Sequence, residues 1–318
     1  MKDLLNIFNK QYYLTDGGME TTLVYHQGIE LNHFAAFELL NTDDGRKILL
    51  DYYQTYVDIA AKRGIDFILE TPTWRAHSDW APVLGYSTAQ LSEINQHSVY
   101  FLRQFIEQQS YPSDRFLISG CLGPRGDGYI PGTMMSTTAA KEYHRAQIQD
   151  FAYADVDVVT AMTINYSQEA SGIVMAAQQF GVPVVISFTV ETNGILPSGE
   201  KLSEAIQRVD VQTDGYAQHY MINCAHPSHF APVLEQAEGD WINRIQGIRA
   251  NASCKSHEEL DNSETLDTGN IYELAEGYLK LRELLPNLKV IGGCCGTDHS
   301  HLNQISEVLF TEPSSITN

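Results

Sequence analysis

Positive charge is scarce in this sequence. Twenty lysines and arginines stand against 40 aspartates and glutamates, which gives a net charge of −20 at pH 7. Nucleic acids and anionic membrane surfaces repel such a chain, so we expect neither as a partner. The other proportions, 43% hydrophobic and 19% charged residues, are those of an ordinary soluble globular protein.

Long apolar runs are also missing. No stretch approaches the roughly 18 apolar residues that a membrane-spanning helix requires. Residues Met1 to Lys10 contain only interrupted apolar stretches, without the continuous apolar region of a secretion signal. Cysteine is rare, and five cysteines, an odd number, fit a reducing compartment. We therefore expect a cytoplasmic protein.

Short apolar runs recur along the whole chain and predict eight strands. They are Tyr12–Asp16, Asp66–Glu70, Phe116–Cys121, Asp157–Ala161, Pro183–Phe188, His219–Cys224, Arg244–Arg249 and Lys289–Gly293. Several are nearly continuous in Val, Ile, Leu and Phe, which is typical of parallel strands buried on both faces.

Amphipathic helices are predicted between the strands. The clearest apolar faces are Ile48, Tyr52, Tyr56 and Ile59 before Gly64; Ala140, His144, Ile148 and Phe151 after the caps Ser136 and Thr137; Ile173, Ala177 and Phe180 before Gly181 and Pro183; and Leu274, Tyr278, Leu281 and Leu285 before Pro286. This alternation implies right-handed crossovers and a parallel sheet. We predict an α/β fold, a (β/α)8 TIM barrel, with residues 1–318 as a single domain. Asn251–Asn270 is predicted as a long loop and Thr311–Asn318 as a frayed tail.

The carboxyl ends of barrel strands carry the active sites of such folds. The residues at those ends are Asp16, Glu70, Cys121, Cys224, Asn251, Cys294 and Cys295. Cys294 and Cys295 adjoin within a glycine frame, GGCCG, that allows the backbone to turn so that both sulfurs face one centre. Cys224 can supply a third sulfur. Three thiolates with an open fourth position are typical of a catalytic zinc site, and sulfur ligands favour zinc over harder metals.

A thiolate-rich metal suits one kind of chemistry. A thiol bound to it is deprotonated at neutral pH and stays nucleophilic. Three thiolate ligands weaken the Lewis acidity that hydrolysis needs, so the pattern favours alkyl transfer to sulfur with no catalytic residue beyond the zinc ligands. The alternative is that the cysteines are small buried residues, which is how we interpret Cys121 and Cys254.

Two other functions stay open on these residues. One is a zinc hydrolase or lyase that uses the same barrel mouth, with His226, His229 or His299 assisting. The other is a zinc-binding or redox-sensing protein without enzymatic activity. Formation of a thioether from a thiol and a methyl donor distinguishes the favoured function from both.

Several segments resemble the homocysteine S-methyltransferase family over roughly residues 10 to 310. They are Asp16–Gly18, Gly120–Gly126, Tyr143–Arg145 with Gln147-Ile148, Gln168–Ala170, Asn223-Cys224 followed by Pro227, and Gly292–Gly296. The resemblance implies a zinc-binding (β/α)8 barrel whose ligands match Cys224, Cys294 and Cys295. It also implies homocysteine as the acceptor and methionine as the product.

The resemblance extends to the substrates. Asp16 matches the aspartate that helps bind the acceptor's amino group, and the backbone of Gly17, Gly18 and Met19 would face its carboxylate; an Asp-Gly-Gly run can also be only a turn. The methyl donor of single-domain members is S-methylmethionine, S-adenosylmethionine or betaine. The chain has no room for folate and cobalamin modules and lacks the carboxy-terminal extension of the betaine-dependent enzymes, so a sulfonium donor is expected. The partners would be these small molecules, and the protein a monomer or small homo-oligomer.

Two positions depart from the family pattern. Met162 occupies the position of a glutamate that holds the acceptor's ammonium, and a methionine is only a weak acceptor. Either Glu20, Glu70 or Glu191 replaces that carboxylate, or the acceptor is not homocysteine. Trp74 stands where the family usually has tyrosine; its indole could line a cage for a cationic donor or pack as a rim aromatic.

Overall fold

The computed structural model of the protein describes residues 7, 8, 10, 12–263 and 265–310. Its strands pair in parallel in chain order, and the last pairs with the first to close a barrel. They are β1 (Tyr13–Leu14), β2 (Asp66–Glu70), β3 (Phe116–Leu122), β4 (Val158–Ile164), β5 (Val184–Phe188), β6 (Tyr220–Asn223), β7 (Ile245–Ala250) and β8 (Val290–Gly293). The predicted (β/α)8 barrel is confirmed.

The described helices lie between and around these strands. They are α1 (Met19–Thr21), α2 (Asp43–Arg63), α3 (Ala81–Leu84), α4 (Thr88–Glu107), α5 (Thr137–Tyr153), α6 (Ser167–Phe180), α7 (Leu202–Thr213), α8 (Pro227–Glu235), α9 (His257–Asp261), α10 (Ile271–Leu284) and α11 (His299–Phe310). Short 3-10 turns cover Asn32–Phe34, Ala36–Asn41, Ser113–Arg115 and Asp240–Arg244, and a π-helical turn covers Thr22–His26. Within the described ranges, no helix is both long and apolar enough to cross a bilayer.

Helix α2 packs on β1 and β2 through a tyrosine-rich face. Tyr52, Tyr53 and Tyr56 are buried at helical spacing. The predicted face is slightly rotated, since Ile48 and Ile59 are only half-buried. The tyrosine hydroxyls thereby reach the ends of the first two strands, where the pocket described below begins.

Strand β4 continues to Ile164, three residues beyond the end predicted from the sequence. Its register with β5 shifts between Ala161 and Ile164, and Thr163 has a left-handed φ of 63°. A β-bulge of this kind re-aims side chains near barrel rims. Met162 therefore lies inside the strand, and its side chain packs in the barrel interior.

Two other predictions concern the second half of the chain. The segment 251–270 is not wholly a loop, because it contains α9, which begins with a capping box between Ser256 and Glu259. The predicted tail Thr311–Asn318 lies outside the described residues. Cys121 is buried in the barrel interior and Cys254 is exposed, and neither belongs to the group of three clustered sulfurs.

Candidate metal and substrate site

The three predicted ligands meet at the carboxyl end of the barrel. The sulfurs of Cys224, Cys294 and Cys295 all lie within 4.8 Å of one another, and Sγ of Cys224 is 4.0 Å from Sγ of Cys295. Tetrahedral zinc with Zn–S bonds of about 2.3 Å requires sulfurs about 3.8 Å apart. The donor set and its spacing therefore fit a zinc ion.

The backbone takes a left-handed conformation at Cys224 and at Gly296, directly after Cys295. Cys224 directly follows β6 with a left-handed φ of 54°, which is uncommon for a residue with a side chain. Nε2 of His257 lies 2.5 Å from its carbonyl oxygen and fixes this turn. After β8, Gly296 takes a left-handed φ of 79°. A Cβ on Gly293 would lie 2.2 Å from the hydroxyl of Thr297, so the glycine frame serves close approach as well as turning.

Asn223 fixes the polar surroundings of the sulfurs. Its amide oxygen accepts hydrogen bonds from the backbone N–H of Thr163 (3.0 Å) and the hydroxyl of Ser187 (2.7 Å). The amide nitrogen must then face the other way, where it donates to Sγ of Cys224 at 3.3 Å and lies 3.9 Å from Sγ of Cys294. The residue thus presents a donor to the sulfurs, which stabilises their thiolate form.

The three thiols differ in acidity. Hydrogen bonds from Cys224 and Cys295 lower the pKa of Cys294 well below its usual value, and the nearby guanidinium of Arg249 lowers it further. Hydrogen bonding to Cys294 raises the pKa of Cys224, and hydrogen bonding to Cys224 and Cys294 raises the pKa of Cys295. The first proton is therefore lost from Cys294.

A pocket of about 300 Å³ opens beside the cysteines. It is lined by every residue predicted as a substrate contact, namely Asp16, Gly17, Gly18, Met19, Glu70, Trp74 and Met162, and by the cysteine trio. Sequence reasoning missed several other lining residues, among them Phe34, Arg75, Asp127, Tyr129, Thr163 and Arg249. The structure thus brings the predicted residues together, while their roles depend on what each of them contacts.

Arg249, at the end of β7, links two acidic residues on the pocket wall. Its Nη2 lies 2.7 Å from Oδ1 of Asp16, and its Nη1 lies 2.5 Å from Oε2 of Glu70. Its remaining donors bond to the carbonyl oxygens of Gly17 and Gly293, both at 3.0 Å. Burial raises the pKa of Glu70 to about 7, against the lowering effect of Arg249. All three nitrogens of the guanidinium are therefore engaged by groups of the protein itself.

The contacts of Asp16 and Gly18 bear on their predicted roles. Asp16 is 3% exposed, and its Oδ2 also accepts from the hydroxyl of Tyr52 at 2.9 Å. The N–H of Gly18 donates to the carbonyl oxygen of Thr297 at 3.1 Å. Oδ1 of Asp16 is ion-paired with Arg249 but is buried without a hydrogen-bond donor. The contact of Asp16 and Gly18 with a substrate stays a prediction.

Trp74 lies on the pocket wall with one neighbour that affects its predicted role. The guanidinium of Arg75 sits over its ring at 4.1 Å and over the ring of Trp80 at 4.2 Å. Nε1 of Trp74 donates to the carbonyl oxygen of Met162 at 3.4 Å. Since a cation already covers the indole, this geometry favours the packed rim aromatic over a cage for a cationic donor.

Of the three glutamates proposed to replace the family carboxylate, one stands free in the pocket. Glu70 is paired with Arg249. Glu191 does not line the pocket, and its Oε1 lies 3.6 Å from Nδ1 of His257. Glu20 lines the pocket, and burial raises the pKa of its carboxyl to about 7.

Tyr129 reaches the cysteines from the loop after β3. Its hydroxyl lies 3.7 Å from Sγ of Cys295, and its ring lies against that of His257 with centroids 4.1 Å apart. The loop is held by Glu169, which accepts from the N–H of Arg125 at 2.7 Å. The buried His144 bonds to the same Glu169 carboxylate at 2.9 Å. These contacts give two of the family-like segments, around His144 and Glu169, a role in positioning the site.

The histidines of the hydrolase alternative lie elsewhere. His226 caps α8 through Ser228, and burial lowers its pKa to about 4. Nε2 of His229 lies 2.8 Å from the carbonyl oxygen of Cys254, and His299 is exposed. None of the three lines the pocket, so the histidine help that a hydrolase would need is missing there.

A (β/α)8 barrel with a pocket at its carboxyl end is the architecture of a small-molecule enzyme, and the three clustered sulfurs beside this pocket could hold a metal ion. The chain belongs to the homocysteine S-methyltransferase family, whose model matches residues 13–309. It is 24% identical to homocysteine S-methyltransferase 1 of Arabidopsis thaliana over 331 aligned positions, which cover 93% of each protein. It is an enzyme of this thiol methyltransferase type.

A solved structure agrees with the fold. The metallated form of the homocysteine methyltransferase MmuM from Escherichia coli superposes with a TM-score of 0.73 at 20% identity, covering 95% of this chain and 98% of that one. At this identity the likeness concerns the barrel.

Proposed function

We propose that this enzyme transfers a methyl group from a sulfonium donor, S-methylmethionine or S-adenosylmethionine, to the thiol of homocysteine, giving methionine. The observation that carries the proposal is the trio of sulfurs within 4.8 Å of one another on the wall of a 300 Å³ pocket. Family membership supports thiol methyl transfer as the reaction.

Zinc is the metal that we propose for the cysteine trio. Cys224, Cys294 and Cys295 would hold it, and three sulfur donors favour zinc over magnesium, calcium or manganese. When bound, it would lower the pKa of the acceptor thiol and keep the sulfur nucleophilic.

The chain's own residues would prepare the sulfurs for this role. The Asn223 amide donates to the Cys224 sulfur and stabilises negative charge on it. Arg249 offsets the charges of Asp16 and Glu70, which would otherwise oppose a cluster of thiolates. The pocket can therefore hold several negatively charged sulfurs close together.

The methyl transfer is an in-line displacement. The acceptor has lost its thiol proton, and its sulfur forms the new bond to the methyl carbon. The bond from that carbon to the donor's sulfonium sulfur breaks at the same time, and the donor leaves as a neutral thioether. Opposite charges disappear in the transition state, so a pocket shielded from water accelerates the step. The protein would align donor and acceptor through the pocket wall.

The donor assay tests this function directly. The purified protein is incubated with zinc, methyl-labelled S-methylmethionine or S-adenosylmethionine, and a panel of thiols, and labelled thioethers are separated and counted. We expect labelled methionine from homocysteine. A hydrolase, a lyase or a metal-sensing protein would give no thioether with any thiol, and that result would overturn the proposal.

A further inference from the structure

The acidic residues that line the pocket are Asp16, Glu20, Glu70 and Asp127. Asp127 is exposed, and its Oδ1 accepts hydrogen bonds from the backbone N–H groups of Tyr129 and Ile130. Asp16 and Glu70 are both buried and both ion-paired with Arg249. A substrate cation that displaced Arg249 would leave its guanidinium buried without a partner, at a high cost. Met162 removes the remaining carboxylate of the family pattern. The deep wall of the pocket therefore has no free anion for a cationic substrate group.

Glu20 is the contrasting residue. It lies in α1, directly beyond the Asp16–Met19 turn, and its side chain lines the pocket. Within the described part of the chain, no cationic side chain lies within ion-pairing distance of its carboxylate, because the buried guanidinium of Arg249 pairs with Asp16 and Glu70 instead. It is nevertheless close enough to Arg75, Cys121 and Glu70 for its charge to raise the pKa of each.

We infer that Glu20 binds the ammonium group of the thiol acceptor and so replaces the family glutamate at the Met162 position. The acceptor is then a thiol that carries an ammonium group, as an amino acid does. This inference rests on the proposed function, since it assigns a residue to the acceptor of that reaction. Burial strengthens the pairing, because an ion pair in a low-dielectric pocket is screened less than one in water.

The partner of Glu20 is the ammonium of the acceptor and not the sulfonium of the donor. An ammonium donates up to three hydrogen bonds and pairs with a carboxylate through charge-assisted contacts. A trialkyl sulfonium has no hydrogen to donate. The proposed donors also carry an ammonium group, so the KM of the donor is the measurement that separates its ammonium from that of the acceptor. Glu20 is also near the cysteine side of the pocket, since the hydroxyl of the next residue, Thr21, accepts a hydrogen bond from the N–H of Gly296 at 3.4 Å, and that is the side where the acceptor thiol must lie.

The test compares homocysteine with 4-mercaptobutyrate, which is the same molecule without its amino group. The kcat/KM of each thiol is measured for the wild type, Glu20→Gln and Glu20→Asp. Glu30→Gln is the matched control, because Glu30 is an exposed glutamate ten residues along the chain and outside the pocket. Metal content and melting temperature are recorded for each variant.

We expect the wild type and Glu30→Gln to prefer homocysteine by on the order of 10- to 100-fold, the strength of a hydrogen bond to a charged group. Glu20→Gln should lose most of this preference while its KM for the donor stays unchanged, and Glu20→Asp should lie between. An intact preference in Glu20→Gln, no preference in the wild type, or a rise in the donor KM alone would overturn the inference.

A binding measurement keeps the inference separate from the proposed function. Calorimetry of methionine against 4-(methylthio)butanoate needs no turnover, and Glu20→Gln should abolish the preference for methionine. If no thiol is methylated, the proposed function fails, and the calorimetry still decides whether Glu20 binds an ammonium. If thiols are methylated without regard to their amino group, the function stands and the assignment of Glu20 is wrong.

Discussion

The two walls of the pocket differ in how they relate to the family pattern. The cysteine wall, after β6 and β8, carries Cys224, Cys294 and Cys295, which the sequence predicts as metal ligands. The rest of the lining, called here the recognition wall, follows β1, β2, β4 and β7; there Arg249 pairs with Asp16, and Met162 stands where the family resemblance predicts a glutamate. The proposed metal site and the predicted acceptor contacts are therefore carried by separate sets of residues.

The largest effect is expected on the cysteine wall. Cys295→Ser replaces a thiolate by a hydroxyl that zinc binds poorly, so we expect loss of bound metal and of essentially all turnover. Metal analysis and the thioether assay measure both. Cys254→Ser alters an exposed cysteine away from the trio and should change neither. Full zinc stoichiometry with normal turnover in Cys295→Ser would mean that the trio is not the metal site.

The second effect is expected from Arg249, whose ion pairs on the recognition wall stabilise the folded protein. Arg249→Met leaves the buried carboxylates of Asp16 and Glu70 without their cation, and we expect a loss of about 3–5 kcal/mol in the free energy of unfolding. Adding Glu70→Gln should restore part of it. Urea denaturation gives the values. Arg145→Met is the control, because Arg145 pairs with Glu142 on the surface and should cost under about 1 kcal/mol. Equal losses of the free energy of unfolding in Arg249→Met and Arg145→Met would show that the buried ion pairs of Arg249 do not stabilise the fold.

The smallest effect is expected for Asn223, whose amide donates a hydrogen bond to the cysteine wall. Asn223→Asp keeps the shape of the side chain and turns the donor that faces the sulfurs into an acceptor with negative charge. We expect zinc affinity to fall by about 10- to 100-fold, as for other residues that orient metal ligands. Competition with a chelator measures it. Asn193→Asp, on an exposed turn, should bind zinc like the wild type, and unchanged affinity in Asn223→Asp would show that its amide does not support the sulfurs.

The sequence was sufficient to predict the barrel and the clustering of Cys224, Cys294 and Cys295, whose role as metal ligands stays a prediction. Continuous apolar runs predicted all eight strands, because the period of a buried strand and the glycines that end the helices are local properties. The ends of the strands were less accurate, and β4 in particular runs past its predicted end through a bulge at Met162 and Thr163. This bulge depends on hydrogen bonds between Thr163 on β4 and Asn223 on β6. The two residues are 60 positions apart in the sequence, so no local sequence pattern predicts the contact.

The contacts within the pocket were the part that the sequence could not supply. Arg249 was visible as a basic residue at the end of an apolar strand, which is a signal for a buried ion pair, although its partners come from β2 and the segment after β1. Glu20 and Glu70 are equally acidic in the sequence. Only the position of Arg249 distinguishes the paired carboxylate from the free one, and that is a tertiary property.

The contact between the first and last strands, which closes the barrel, also positions two of the cysteines. The N–H of Gly18 bonds to the Thr297 hydroxyl across 279 residues, the N–H of Gly293 bonds to the carbonyl oxygen of Asp16, and a Cβ on Gly18 would lie 2.6 Å from the carbonyl oxygen of Cys294. Two of the three sulfurs, those of Cys294 and Cys295, are thus positioned by the contact between the residues after β1 and after β8 that closes the barrel. Metal binding would therefore be coupled to closure of the barrel. A metal ion that binds only the closed barrel would stabilise it against unfolding by mass action.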